Sequence, residues 1–225
     1  MRLVAPASQP TAAIIGSDEV HGQRRYNCCH NFDLLRALKV PLPTWHLSAE
    51  AEESVMRIGL FADAHDHVDN VCRAVAEFNR LECELVIFAG DFVSPIVVPP
   101  LRKLKCPVLA CFGDNDGNQI GLQGGMRIVG PVAYPPFGFT TVDHVRILVA
   151  HTPDQLRGVL GNAQVVVSAH THKPAVQTDA SGVLYINPGE TSGWTYRKPT
   201  IGLLETSPLS ARIISLPEMA PAPQL

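Results

Sequence analysis

Six short stretches of this 225-residue chain place an Asp, Asn or His directly after a run of apolar residues. They are Gly59-Leu-Phe-Ala-Asp63-Ala-His65, Val86-Ile-Phe-Ala-Gly-Asp91, Leu109-Ala-Cys-Phe-Gly-Asp114-Asn115-Asp116, Ile147-Leu-Val-Ala-His151, Val165-Val-Val-Ser-Ala-His170-Thr-His172 and Tyr185-Ile-Asn187-Pro-Gly-Glu190. Each run has the length and β-branched character of a buried strand, so each polar residue falls where a strand would emerge into a loop. Loops beyond the carboxyl ends of strands are where open α/β sheets bind ligands. Oxygen and imidazole donors delivered to one such edge can hold metal ions.

The donors differ in strength as signals. Asp63-Ala-His65 offers a hard oxygen and an imidazole two residues apart, a spacing that lets both reach one ion but is common by chance. His170-Thr-His172 is the most specific local pattern, because alternation around one Thr sends both imidazoles the same way. Two exposed turn histidines would be the ordinary reading of that tripeptide alone. It weakens because Asp63, Asp91, Asp114 and His151 stand at strand ends as well. Asp91 follows Gly90, a residue that permits a sharp turn, and a carboxylate there could bridge two cations. Three carboxylates and four histidines exceed one tetrahedral site and suit a pair of ions, which can clamp both oxygens of a phosphoryl displacement. Mixed N/O donors of this kind fit Mn, Fe, Zn or Ni.

The elements that must position these residues begin abruptly at Met56. Expected strands cover 56–62, 85–89, 107–112, 139–142, 145–150, 164–168, 174–178, 183–186, 200–205 and 210–216, with helices over 69–81, 95–105 and 153–161. Gly124-Gly125 and the Pro-rich 130–138 stretch are expected turns. Residues 1–55 lack a sustained period and form an N-terminal extension, either poorly ordered or translated from upstream of a start at Met56. Residues 217–225 form a tail, leaving 56–216 as the domain. The α/β first half and β-rich second half predict packed sheets with helices outside.

Composition narrows the function classes. A hydrophobic content of 46% and a charged content of 17% describe an ordinary globule. The net charge of -3 and the lack of a basic run argue against nucleic acid as partner, and no apolar stretch reaches membrane-span length. No secretory signal pattern opens the chain. The six cysteines include no CxxC pair and read as small buried hydrophobes in a reducing, cytoplasmic setting; Cys28-Cys29-His30 is background. Assembly with copies of itself is left open.

Taken in order, the motifs resemble the calcineurin-like metallophosphoesterases, and in particular the small YfcE-type phosphodiesterases of bacteria and archaea. The matching stretches are Asp63-Ala-His65-Asp-His, Gly90-Asp91-Phe-Val-Ser, Gly113-Asp114-Asn115-Asp116-Gly117, His151, His170-Thr-His172, Asn187-Pro-Gly-Glu190 and Pro199-Thr-Ile-Gly, covering residues 56 to about 216. The resemblance implies a four-layered α/β/β/α sandwich of two mixed sheets flanked by helices. It implies two divalent ions, manganese before Ni, Fe or Zn. Asp63, His65, Asp91 and His172 would hold the first ion, with Asp91 bridging to a second held by Asp114, His151 and His170. The implied activity is hydrolysis of a small phosphodiester by a metal-bridging hydroxide.

Departures from the family pattern qualify this. Asp114 replaces a usual Asn, adding a negative charge that would tighten cation binding and make the centre less electrophilic; a register with Asn115 as the ligand is the alternative. Asn115 stands where monoesterases of the superfamily carry a leaving-group His. His67 is then the candidate proton donor. Ala169 replaces a Gly before His170, and Thr152-Pro153 follow His151 where the family often has Gly-His. Asn187 and Glu190 are expected to orient the histidines. Arg197 and Lys198 could meet a phosphate, and Trp45 or Trp194 could stack on a base. A phosphomonoesterase, a nucleotide pyrophosphatase and, less readily, a non-catalytic scaffold compete with the diesterase, because fold alone does not dictate chemistry.

Overall fold

The structure is a computed structural model that describes residues 55–216. The expectations for residues 1–54 and 217–225, including Cys28-Cys29-His30 and Trp45, lie outside the described residues. Among the described residues, eleven strands form two mixed sheets.

In the first sheet, β1 (Arg57–Phe61), β2 (Leu85–Phe88), β3 (Val108–Cys111) and β4 (Val132–Ala133) run parallel. The hairpin of β10 (Thr200–Thr206) and β11 (Leu209–Ser215) adds two antiparallel strands beside β1. The second sheet has the order β5-β6-β7-β9-β8. Its members are β5 (Phe137–Thr140), β6 (Arg146–Val149), β7 (Val165–Val167), β8 (Ala175–Thr178) and β9 (Leu184–Asn187). Strands β6, β7 and β9 are parallel, and the outer two pair antiparallel.

Strand alternation sorts the apolar residues into layers. Ile58, Leu60, Leu85, Ile87 and Leu109 of the first sheet meet Ile147, Val149, Val165, Val167, Leu184 and Ile186 of the second in one buried core. The opposite side chains of the first sheet, Phe61, Val86, Phe88, Val108 and Ala110, pack under the helices. These are α1 (Val68–Arg80), α2 (Val98–Leu101) and α3 (Gln119–Met126). The outer face of the second sheet is more thinly covered, by a small cluster of Leu148, Ala150, Leu156 and Val166. The two mixed sheets with flanking helices agree with the expected fold class.

Local departures have local causes. The helix expected over 153–161 is one 3-10 turn, Pro153–Leu156, after which Arg157 is extended; Gly158 and Gly161 do not favour continuing it. The helix expected over 95–105 is a 3-10 turn, Pro95–Val97, followed by the single turn α2, because Pro99 and Pro100 cannot donate to the backbone ladder. Conversely, Gly124-Gly125 are not a turn but lie inside α3. That helix is held by buried Leu122 and Met126 at i, i+4 spacing, and capped where the Asn118 side chain accepts from Gly121 N. Part of the expected 130–138 turn region pairs with β3 as the short strand β4. No helix among the described residues is long and apolar enough to cross a membrane.

Candidate metal centre

Parallel strands deliver their carboxyl ends to the same edge, and here both sheets point that edge at each other. Asp63, Asp91 and Asp114 follow β1, β2 and β3, while His151 and His170 follow β6 and β7, each within about three residues of the last strand residue. Three overlapping groups result: Asp63 with His65 and His172, Asp114 with His151 and His170, and Asp63 with Asp91 and His151. Within each group the ligand-capable atoms lie within 4.8 Å of one another. All seven residues singled out from the sequence as donors therefore converge.

Asp91 sits between the two clusters. Its Oδ2 is 3.5 Å from His65 Nε2 and its Oδ1 is 3.4 Å from His151 Nε2. Asp114 Oδ1 lies 2.7 Å from His151 Nε2 and 3.0 Å from His170 Nδ1. On the other side, His172 Nε2 is 3.2 Å from His65 Nε2 and 3.7 Å from Asp63 Oδ1.

The tautomers are arranged to leave nitrogens bare. His151 Nδ1 donates to Ala89 O at 2.8 Å, so a neutral ring turns an unprotonated Nε2 toward the acids. His172 Nδ1 lies 2.8 Å from Glu190 Oε2, which likewise frees Nε2. Glu190 is itself buried and accepts from the backbone N–H groups of Thr195 and Tyr196. Asn187 ties the same loop down, its amide donating to Ala169 O and Thr171 Oγ1. Both residues thus support the histidine loop, as a second layer around a metal would.

Two buried atoms face this space: Asp63 Oδ1 has no hydrogen-bond partner, and His151 Nε2 meets only the other candidate ligands, Asp91 Oδ1 and Asp114 Oδ1. An unpartnered buried oxygen is rare because it costs desolvation without return. A divalent cation in each cluster would satisfy both, and the donor chemistry fits. The electrostatics carry the same signature. Burial pushes the Asp63 carboxyl up to about 7. Burial works the same way on Asp91, but the His151 imidazole and both amides of Asn115 outweigh it and hold Asp91 well below the usual carboxylate range. Burial disfavours the charge on His151, yet the adjoining Asp91 carboxylate raises it to about 9. His65 is lowered, chiefly by burial.

The backbone is strained where these side chains leave it. Asp63, His65, Asp91, His170 and His172 all have positive φ, between 40° and 67°. Non-glycine residues rarely adopt this region, and such strain persists when surrounding structure over-determines it. The loops also approach closely: a Cβ on Gly113 would fall 2.1 Å from Asp91 Oδ1, and one on Gly90 would fall 2.6 Å from His151 Nδ1. Only glycine fits at either place.

The remaining candidates have definite surroundings. Asn115 donates from its backbone to Asp91 Oδ1 at 2.9 Å and from its side chain to Asp91 Oδ2 at 2.8 Å. His67 caps α1, its Nδ1 accepting from Asn70 N, and its ring lies 4.7 Å from that of Trp194. Arg197 and Lys198 are exposed in the loop after Trp194. Sequence reasoning missed Asp116, a buried acid that ties two ligand loops together by accepting from Val93 N and Gly113 N at 2.7 Å. It also missed Asn70, buried in α1 and bonded to Ser192 O. A polar residue amid the apolar period of α1 was the available signal.

Comparison with known proteins identifies the family. The chain is 33% identical over 168 residues to a phosphodiesterase of Methanocaldococcus jannaschii, spanning 72% of this chain and 99% of that one. It is 27% identical over 165 residues to a probable metallophosphoesterase of Methanothermobacter thermautotrophicus, spanning 71% and 92%. The solved structure of an archaeal phosphodiesterase superposes with a TM-score of 0.67 at 32% identity, over 72% of this chain and all of that one. The Escherichia coli phosphoesterase YfcE shares the fold, with a TM-score of 0.55 at 18% identity over 72% of this chain and 100% of that one. Residues 56–208 match the model of the calcineurin-like phosphoesterase superfamily domain, and the chain belongs to that superfamily.

Proposed function

We propose that this chain is a binuclear-metal phosphodiesterase of small substrates, with residues 56–216 as its catalytic domain. The observation that carries the proposal is the placement of Asp91 between two donor clusters, one carboxylate oxygen toward His65 and the other toward His151. Asp63, His65, Asp91 and His172 would hold one ion; Asp91, Asp114, His151 and His170 would hold the other. Two bound divalent cations supply Lewis-acid stabilisation of phosphoryl oxygens and lower the pKa of water toward neutrality. The mixed oxygen and imidazole set suits manganese, with Ni, Fe and Zn as competitors. The family relationship to a named phosphodiesterase supports the diester preference.

The chain's own residues then have distinct tasks. Ala89 O and Glu190 orient His151 and His172. Asn115 is a positioning residue, because its backbone N–H and its side-chain amide both donate to Asp91. Because Asn115 carries an amide, no acid stands at the position a monoesterase would use, which favours diesters over monoesters. His67 is the proposed donor to the leaving oxygen. Its Nδ1 accepts from Asn70 N, so the neutral ring presents Nε2–H as a hydrogen-bond donor; passing a proton to the leaving oxygen requires the imidazolium form, which returns to neutral imidazole and is reprotonated from solvent. The buried thiols Cys83 and Cys111 are free, in keeping with a cytoplasmic setting.

The test is direct. Purified protein loaded with Mn²⁺ should bind about two ions per chain and hydrolyse bis(p-nitrophenyl) phosphate, and His170→Ala should lose one ion and most of the turnover. Metal-replete protein inert toward every diester and monoester offered would end the proposal.

A further inference from the structure

Beside the His65 cluster stands an exposed aromatic face that metal binding does not require. Trp194 is 60% exposed, so a face of this large aromatic side chain is open to solvent. It is not a loose surface residue. Its indole Nε1 donates to the backbone carbonyl of His65 at 3.2 Å, which fixes the ring beside a candidate ligand. One side of the indole lies against the His67 ring, with centroids 4.7 Å apart and planes inclined by 34°.

The segment leading to it is rigidly held. Ser192 is buried, its N–H donates to Asp63 O, and its carbonyl accepts from the side chain of buried Asn70. Just past Trp194, the N–H groups of Thr195 and Tyr196 bond to Glu190, the partner of His172. The same short loop therefore buttresses the metal cluster on one side and presents a pre-oriented indole on the other. With its polar edge satisfied and one side backed by His67, the indole has its exposed surface available for a planar ring. Flat stacking of this type accepts any nucleobase, since every base has a π-face.

We propose that Trp194, backed by His67, is a stacking platform for a planar ring carried on one ester group of the substrate. The preferred substrates are accordingly nucleoside-bearing phosphodiesters. This inference rests on the phosphoesterase proposal only for the phosphate, which anchors the ligand at the ions; the ring is held by the protein.

The experiment compares ligands that differ only in the base. Full-length protein carrying Trp45→Phe, so that Trp194 is its sole indole, is loaded with Mn²⁺ and titrated with adenosine 5′-monophosphate or ribose 5-phosphate. Adenosine monophosphate should bind roughly tenfold tighter than ribose 5-phosphate, in the range of one base stacked on an aromatic side chain, and should quench the indole fluorescence. Calorimetry on Trp194→Ala should show the two affinities converging, whereas Trp194→Phe, which keeps a ring but not the indole N–H, should retain most of the difference. Equal affinities in the Trp194-containing protein, or an undiminished difference in Trp194→Ala, would overturn the platform while leaving the phosphoesterase proposal intact. Failure of both ligands to bind would overturn the platform and the phosphate site together.

Discussion

The two sheets contribute unequally to the centre. The first, covered by α1, α2 and α3, supplies all three carboxylates and one imidazole: Asp63, His65, Asp91 and Asp114. The second supplies only imidazoles, His151, His170 and His172, and its outer face carries a small apolar cluster beside a single 3-10 turn. The anionic half is thus built on the more deeply packed sheet, where Asp63 and Asp91 are completely buried. Neither half is a binuclear site alone. Each candidate group draws on both sheets, so the core between them sets the distances on which coordination depends.

The strongest way to break this division is to remove the residue facing both clusters. Asp91→Ala should lower kcat about 10³-fold or more and release both ions, since one donor to each is lost; retention of two ions by elemental analysis would contradict a bridging role.

Adjacent residues on β6 separate the packing from the chemistry. Ile147 points into the core between the sheets, and Leu148 points outward. Ile147→Ala should cost about 3–5 kcal/mol in urea denaturation and weaken Mn²⁺ binding, while Leu148→Ala should fall nearer 2 kcal/mol, because its smaller cluster can relax around the loss. Equal effects on metal affinity would show that the inter-sheet core does not set the site.

Acid–base linkage sharpens the contrast further. In the metal-free fold Asp63 is raised from 3.8 to about 7 and His151 from 6.5 to about 9. For both, the folded value exceeds the unfolded one. Their stabilising contribution is therefore complete below 3.8 and 6.5 and is lost as pH rises through about 7 and about 9. Metal ligation must displace these protons, so Mn²⁺ affinity should rise with pH by roughly tenfold per unit for each proton released, and level off above about 9. The gap in Tm between loaded and metal-free protein should widen over the same interval; a constant gap from pH 6 to 9 would remove the two groups from the ligand set.

The smallest expected effect belongs to Asp114, whose side chain is half exposed. Asp114→Asn removes one charge from the exposed end of the cluster, where a unit charge is worth about 1 kcal/mol. Mn²⁺ binding should weaken about fivefold and kcat should increase modestly, because the ions keep more of their electrophilic character. An unchanged metal affinity would mean that Asp114 does not reach the second ion.

Much of this was legible in the sequence because burial and periodicity are local signals. Uninterrupted runs such as Val86-Ile-Phe and Val165-Val-Val mark strands buried on both faces, as the apolar clusters on the two sides of each sheet require. The short helices were less legible. Pro99-Pro100 halts one that the apolar pattern extends, and the glycines of α3 hide another whose stability comes from packing Leu122 and Met126. The loop supports were hidden for a different reason. Asp116 bonds Val93 N across 23 residues, and Trp194 bonds His65 O across 129 residues. Neither pairing leaves a mark in the local pattern.

The sequence by itself determined which residue types stand at strand ends, and so that a set of hard oxygens and imidazoles would collect at one edge. That follows because side-chain alternation and strand burial are fixed by residues close together in the chain. Only the tertiary structure decided which of those donors share a cluster, that Asp91 turns one oxygen to each, and that Asn115 serves Asp91. Those outcomes depend on the packing of one sheet against the other and on left-handed backbone at Asp63, Asp91 and His170, conformations that a residue does not choose for itself and that long-range contacts must impose.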